Sequence, residues 1–116
     1  MMMAFDKVAS VNGSTKKYQL NPNVKKYTLR DHGFQETKSG NFQLTRSLTT
    51  SMNPKQGILL KIVVDKDLQT LRMSTTNASG LKSMNVYANK NMQQVVENLE
   101  YILAGFVEQN LFVEVD

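Results

Sequence analysis

The chain has 116 residues, 41% of them hydrophobic and 21% charged, with a net charge of +4; these are the proportions of one globular domain able to bury a core without staples. It contains no cysteine and a single histidine, which excludes disulfides, thiolate nucleophiles, cysteine-ligated metals and any site built from several imidazoles. No apolar run approaches the ~20 residues of a membrane span and MMMAFDK lacks the apolar core of a signal peptide, so a soluble, cytoplasmic protein without membrane contact is expected.

Residues 5–11 place Phe5, Ala9 and Val11 on one parity with Val8 out of step, and Asn12-Gly13 is a tight-turn signal leading into a second strand over 15–20. Asn21-Pro22 reads as a helix cap followed by proline at the first helical position, and Gly33 as the left-handed stop, so a short helix is expected from 22 to about 31. Residues 34–38 and 41–48 flank Ser39-Gly40 as a hairpin with one wet face, because Phe42, Leu44 and Leu48 alternate with Gln43, Thr45, Ser47 and Thr49. Residues 49–56 are loop chemistry broken by Pro54.

GILLKIVV, residues 57–64, is apolar except at Lys61 and reads as a central strand covered on both faces. Asp65-Lys66-Asp67 turns it into a strand over 68–75, with Leu71 and Met73 inward and Thr70, Arg72 and Ser74 outward. The turn at 77–80 should lead to another strand over 81–88, with Met84 and Val86 in register. In residues 89–109 the residues Met92, Val95, Val96, Leu99, Ile102, Leu103, Phe106 and Val107 share one helical arc, while Gln93, Gln94, Glu97, Asn98, Tyr101 and Glu108 lie outside it. Asn89 or Asn91 would cap this helix and Asn110 would end it, with Leu111 folding back on Phe106. A last strand over 111–115 should turn Leu111, Val113 and Val115 inward and Glu114 outward. Strands followed by one long late helix define an α+β fold with a mainly antiparallel sheet, in one domain over residues 1–116.

Charge is divided unevenly. Residues 1–88 carry thirteen Lys/Arg against five acids, whereas residues 89–116 carry Lys90 against five acids. Complementarity between a basic sheet layer and an acidic helix layer is the plain explanation. The pentapeptide pattern K-K-Y-x-L occurs at 16–20 and again at 25–29, a spacing too short for a structural repeat. Lys16, Lys17, Tyr18, Lys25, Lys26, Tyr27 and Arg30 could together meet a nucleic acid, but no recognition module is present and the acidic helix would repel a polyanion. Nucleic-acid binding is not expected at physiological salt.

The six glycines are isolated, no phosphate-cradling loop forms, and no catalytic residue, cofactor or metal set can be named. His32 beside Gly33 suits a helix end better than a catalytic base, and Asp65 and Asp67 suit a turn better than an acid and base pair. Candidate ligand-binding residues are Arg46, Arg72, Arg30 and His32, since an arginine on a sheet bordered by hydroxyl side chains can fork onto a carboxylate. Arg46 is the anomaly: it shares the parity of Phe42, Leu44 and Leu48, so it must either reach past the sheet edge to solvent or meet an anion in a partly closed pocket.

Residues 10–34 (SVNGSTKKYQLNPNVKKYTLRDHGF) and 57–87 (GILLKIVVDKDLQTLRMSTTNASGLKSMNVY) resemble a domain-of-unknown-function family of lactic acid bacteria assigned to amino-acid metabolism. The resemblance runs over essentially the whole chain and implies two β-sheets packed with a single main helix, remotely like prokaryotic S-adenosylmethionine decarboxylases. Those enzymes cut their own chain at a serine, typically after glutamate, and use nearby histidine and cysteine. The present chain has no Glu-Ser dipeptide, no cysteine and only His32, so no catalytic residue carries over. The functional expectation is a non-catalytic protein that binds a small amino-acid-like molecule; the alternatives are a protein–protein adaptor for an enzyme of that metabolism and, more weakly, RNA binding.

Overall fold

The computed structural model describes residues 6–48, 57–80, 82–88 and 92–115, and among them two antiparallel sheets enclose one core with a long helix. β1 (Val8–Ala9), β2 (Lys17–Leu20) and β7 (Phe112–Val115) form the smaller sheet in the order β1-β2-β7. β3 (Gln35–Glu36), β4 (Phe42–Ser47), β5 (Ile58–Val64) and β6 (Leu71–Asn77) form the larger, in that order. α1 (Lys26–Asp31) lies between β2 and β3 in the chain, and α2 (Gln93–Glu108) precedes β7. The fold is α+β, with the two sheets and main helix that the family resemblance implies.

The helical stripe is the largest single contribution of α2 to the core. Val95, Leu99, Leu103 and Phe106 are buried, and Met92, Val96, Ile102 and Val107 pack at the margins. Gln93, Gln94, Glu97, Tyr101 and Glu108 are exposed, but Asn98 is half-buried because its Nδ2 donates to the Leu48 carbonyl at 2.8 Å, tying α2 to the end of β4. Opposite the helix residues in the cluster stand Phe42, Leu44, Leu48, Leu60, Ile62 and Leu71 of the large sheet, nearly all excluded from water.

Both helices stop by the same device. After α2, Asn110 takes φ 65°, its N–H donates to Val107 and the Leu111 N–H to Phe106. After α1, Gly33 takes φ 96°, its N–H donates to Arg30 and the Phe34 N–H to Leu29. This paired six-to-one and five-to-two bonding satisfies carbonyls that a helix end leaves open, and it directs Phe34 and Leu111 into the core.

Several elements depart from the sequence expectation. α1 begins at Lys26 rather than at residue 22, because Asn21 closes a turn on itself: its carbonyl accepts from Val24 and its Oδ1 from the Asn23 N–H at 2.8 Å. Residues 82–88 are not a strand. Only an isolated bridge joins Ser83 to Thr76, and the chain then enters a short 3-10 helix, Val86–Ala88, started by Asn85 Oδ1 accepting the Tyr87 N–H at 3.0 Å. The Met84 carbonyl is taken instead by the side chains of Asn12 and Thr75, which fasten the first hairpin turn to β6. β7 is shifted by one residue, since Leu111 is used in the helix stop and the strand starts at Phe112. Glu114 is exposed as expected, but Phe112 is buried beside Leu111 while Val113 and Val115 are only half-buried. β5 is covered fully on one face only: Val63 is buried on the other, but Leu59 and Lys61 are half-exposed. The position before α2 is Met92, with no side-chain cap, and Asn89 and Asn91 lie outside the described residues, as does the loop expected at 49–56.

Candidate functional site

The expected anomaly at Arg46 is present in three dimensions. β4 buries Phe42 and Leu44, then exposes Arg46, then the chain buries Leu48 two residues further along the same parity. Arg46 makes no ion pair or hydrogen bond among the described residues. It lines a groove of about 470 Å³ whose other walls are His32 at the end of α1 and the last turns of α2, including Tyr101, Gly105, Phe106 and Glu108. That volume lies within the range of small-molecule pockets.

Each wall has a local cause. The stop after α1 brings His32 to the groove, where its Nδ1–H donates to the Thr28 carbonyl at 2.8 Å. A carbonyl only accepts, so the neutral ring carries its proton on Nδ1 and leaves Nε2 uncommitted. Phe106 forms the apolar back wall and is held by aromatic neighbours on three sides: His32 edge-on at 6.3 Å, Phe34 tilted at 5.9 Å and Phe112 edge-on at 5.7 Å. Tyr101 stands 81% exposed at the rim. A Cβ built on Gly105 would meet no atom within 4 Å, so the groove is open above this part of the helix.

The four candidate residues therefore divide. Arg46 and His32 come together in the groove; Arg30 and Arg72 do not line it. Arg30 is held elsewhere, with Nη2 donating to Glu36 Oε1 at 2.8 Å and its guanidinium 5.6 Å from the centre of the Phe42 ring. Arg72 is half-buried on the opposite face of the large sheet, beside Val63 in the β5–β6 register. Glu108 is not among the residues the sequence marks as candidates, and Gly105, which from the sequence suggests fraying or a close approach, has no atom within 4 Å of where its Cβ would stand.

The two K-K-Y-x-L segments differ in what they present at the surface. Tyr18 is 3% exposed in β2, and burial, then the Glu114, Tyr87 and Glu100 charges and dipoles, push its hydroxyl up to about 12. Tyr87 is also raised, chiefly by burial, and its hydroxyl donates to Glu100 Oε2 at 3.3 Å. Lys16 pairs with the same carboxylate oxygen at 3.6 Å. Only Tyr27, in α1, is an exposed aromatic of the two K-K-Y-x-L segments, at 66%. Asp65 is a turn former as expected: Oδ1 accepts the N–H groups of Gln69 and Thr70 at 2.8 and 2.9 Å.

Among the described residues no cluster of three or more acidic or imidazole side chains could hold a metal, and no helix is long and apolar enough to cross a membrane. The class is thus an α+β protein with two antiparallel sheets, one main helix and a groove of small-molecule size at that helix's last turn. The chain belongs to the DUF1831 family, described as "Putative amino acid metabolism", whose profile matches residues 3–113. The crystal structure of a DUF1831 family protein from Lactobacillus plantarum is similar to it with a TM-score of 0.87 and 38% sequence identity, over 98% of this chain and 100% of that one. No curated protein sequence matches the chain. The family part of the resemblance is thereby established, whereas the likeness to S-adenosylmethionine decarboxylases is not shown.

Proposed function

We propose that the protein binds a small carboxylate-bearing metabolite of amino-acid metabolism in the groove between β4, the end of α1 and the last turns of α2. The observation that carries this reading is Arg46: an arginine without a described partner, standing in an otherwise buried row and facing a groove with an aromatic back wall. A guanidinium presents paired donors that match a carboxylate, and His32 Nε2 offers a second polar contact beside it. The family description supports the choice of metabolite class.

Thermal shift and titration with carboxylate-bearing metabolites test the reading. A ligand at 100 times its dissociation constant should stabilise the wild type by about 2.7 kcal/mol. Arg46→Met should abolish that gain while leaving the unliganded melting temperature nearly unchanged, because Arg46 contributes no described ion pair to the fold. A flat response to all such compounds at millimolar concentration overturns this site and favours the adaptor reading. RNA binding is the weaker alternative, since Tyr18 is buried and Lys16 is paired.

A further inference from the structure

Three residues break the local rule of the element that carries them, and all three line the same groove. Arg46 interrupts the apolar row of β4. Gly105 lies inside α2, where glycine costs about 1 kcal/mol relative to alanine, yet no neighbouring atom requires its missing side chain. Glu108 is the last residue of α2, where its charge opposes the negative end of the helix dipole, and no basic residue stands in that turn to offset it. Departures from local preference that converge in space mark a functional site more strongly than any one of them alone.

The geometry points to a zwitterionic α-amino acid as the ligand, with the Arg46 guanidinium on its carboxylate, the Glu108 carboxylate on its ammonium, and its side chain in the space above Gly105. This rests on the Arg46-anchored reading above and narrows it. Arg46 and Glu108 line one groove and pair neither with each other nor with another described residue. A simple carboxylate would answer Arg46 and leave Glu108 facing an anion. A simple amine would answer Glu108 and leave Arg46 unmatched. A zwitterion satisfies both, and the negative end of α2 adds to the attraction for its ammonium.

The test is titration calorimetry with the full chain. The probes are the L-amino acids, together with 3-phenylpropanoate and 4-methylpentanoate as the amino-free counterparts of phenylalanine and leucine, and phenethylamine and isoamylamine as the carboxylate-free ones. At least one amino acid should bind about tenfold or more tighter than its amino-free counterpart, the loss expected for one charge-assisted hydrogen bond. Glu108→Gln should remove that preference and leave the affinity for the amino-free acid unchanged or improved, with an unliganded melting temperature no lower than wild type. Equal binding of amino and amino-free acids, or a preference that survives Glu108→Gln, overturns the zwitterion assignment while leaving Arg46 as a carboxylate anchor. Binding of none of the acids overturns both.

Discussion

From Val95 to Leu103, α2 behaves as a structural helix, with Val95, Leu99 and Leu103 buried and polar residues turned to solvent. Its last turn differs in kind: Phe106 still enters the core, but Gly105 has open space above it and Glu108 sits against the dipole. The two regions belong to one continuous helix, so the contrast is not one of secondary structure. It separates residues whose burial holds the fold from residues whose cost to the fold is offset by no contact among the described residues. That separation is what singles out the end of α2 as the candidate site.

The comparison breaks most easily at Leu99. Leu99→Ala removes a side chain with no exposure and should cost about 2–5 kcal/mol in urea unfolding, while Glu97→Ala on the exposed side should change stability by less than about 0.5 kcal/mol. Equal effects would mean that the helix is not oriented as described.

A second contrast sets the buried Tyr18 of β2 against the exposed Tyr27 of α1 at high pH. Tyr18 keeps its proton up to about 12 in the folded chain, against 10.0 ordinarily. Between those values the unfolded chain releases a proton that the native state retains, so stability is full below about pH 10 and falls as pH rises through 12. Melting temperatures followed across this window should drop in the wild type and drop less in Tyr18→Phe; an equal drop in both would assign the alkaline loss to other groups.

At the last turn the expected changes are smaller and of opposite sign. Gly105→Ala should stabilise the unliganded protein by about 0.5–1 kcal/mol, because a Cβ meets no atom there and the helix gains propensity. The same variant should weaken amino-acid binding by narrowing the groove, and a gain in stability with no loss of binding would remove Gly105 from the site. Glu108→Lys should raise stability by about 0.3–1 kcal/mol through the dipole, an effect that added salt should diminish. A stability loss there would show that Glu108 serves the fold.

Much of the architecture could be read from residue order because it depends on local periodicity and turn chemistry. The stripe of α2, its stop at Asn110, the Gly33 stop and the wet and dry faces of β4 all follow from spacing within a few residues. Half of the candidate site was equally legible, since Arg46 is conspicuous as soon as the parity of Phe42, Leu44 and Leu48 is counted. Arg30 and Arg72 had the right chemistry but the wrong neighbours: one is engaged by Glu36 and the other lies on the far face of the sheet. Which polar residues share a groove depends on contacts between segments far apart in the chain, and spacing carries no record of them.

The pattern K-K-Y-x-L shows where sequence stops and tertiary structure begins. By itself the sequence determined that each copy has an apolar Leu two residues after a Tyr, and Leu20 and Leu29 are both buried. Turn chemistry also gave the first copy to a strand and the second to a helix, but it did not determine that Tyr18 is hidden and Tyr27 exposed. β2 is the middle strand of its sheet, between β1 and β7, and packs Tyr18 into the core cluster. Tyr27 instead lies in α1, which buries Leu29 and leaves the tyrosine at the surface. The meeting of His32, Arg46, Gly105 and Glu108 in one groove was decided in the same way, by packing between elements that no local preference could join.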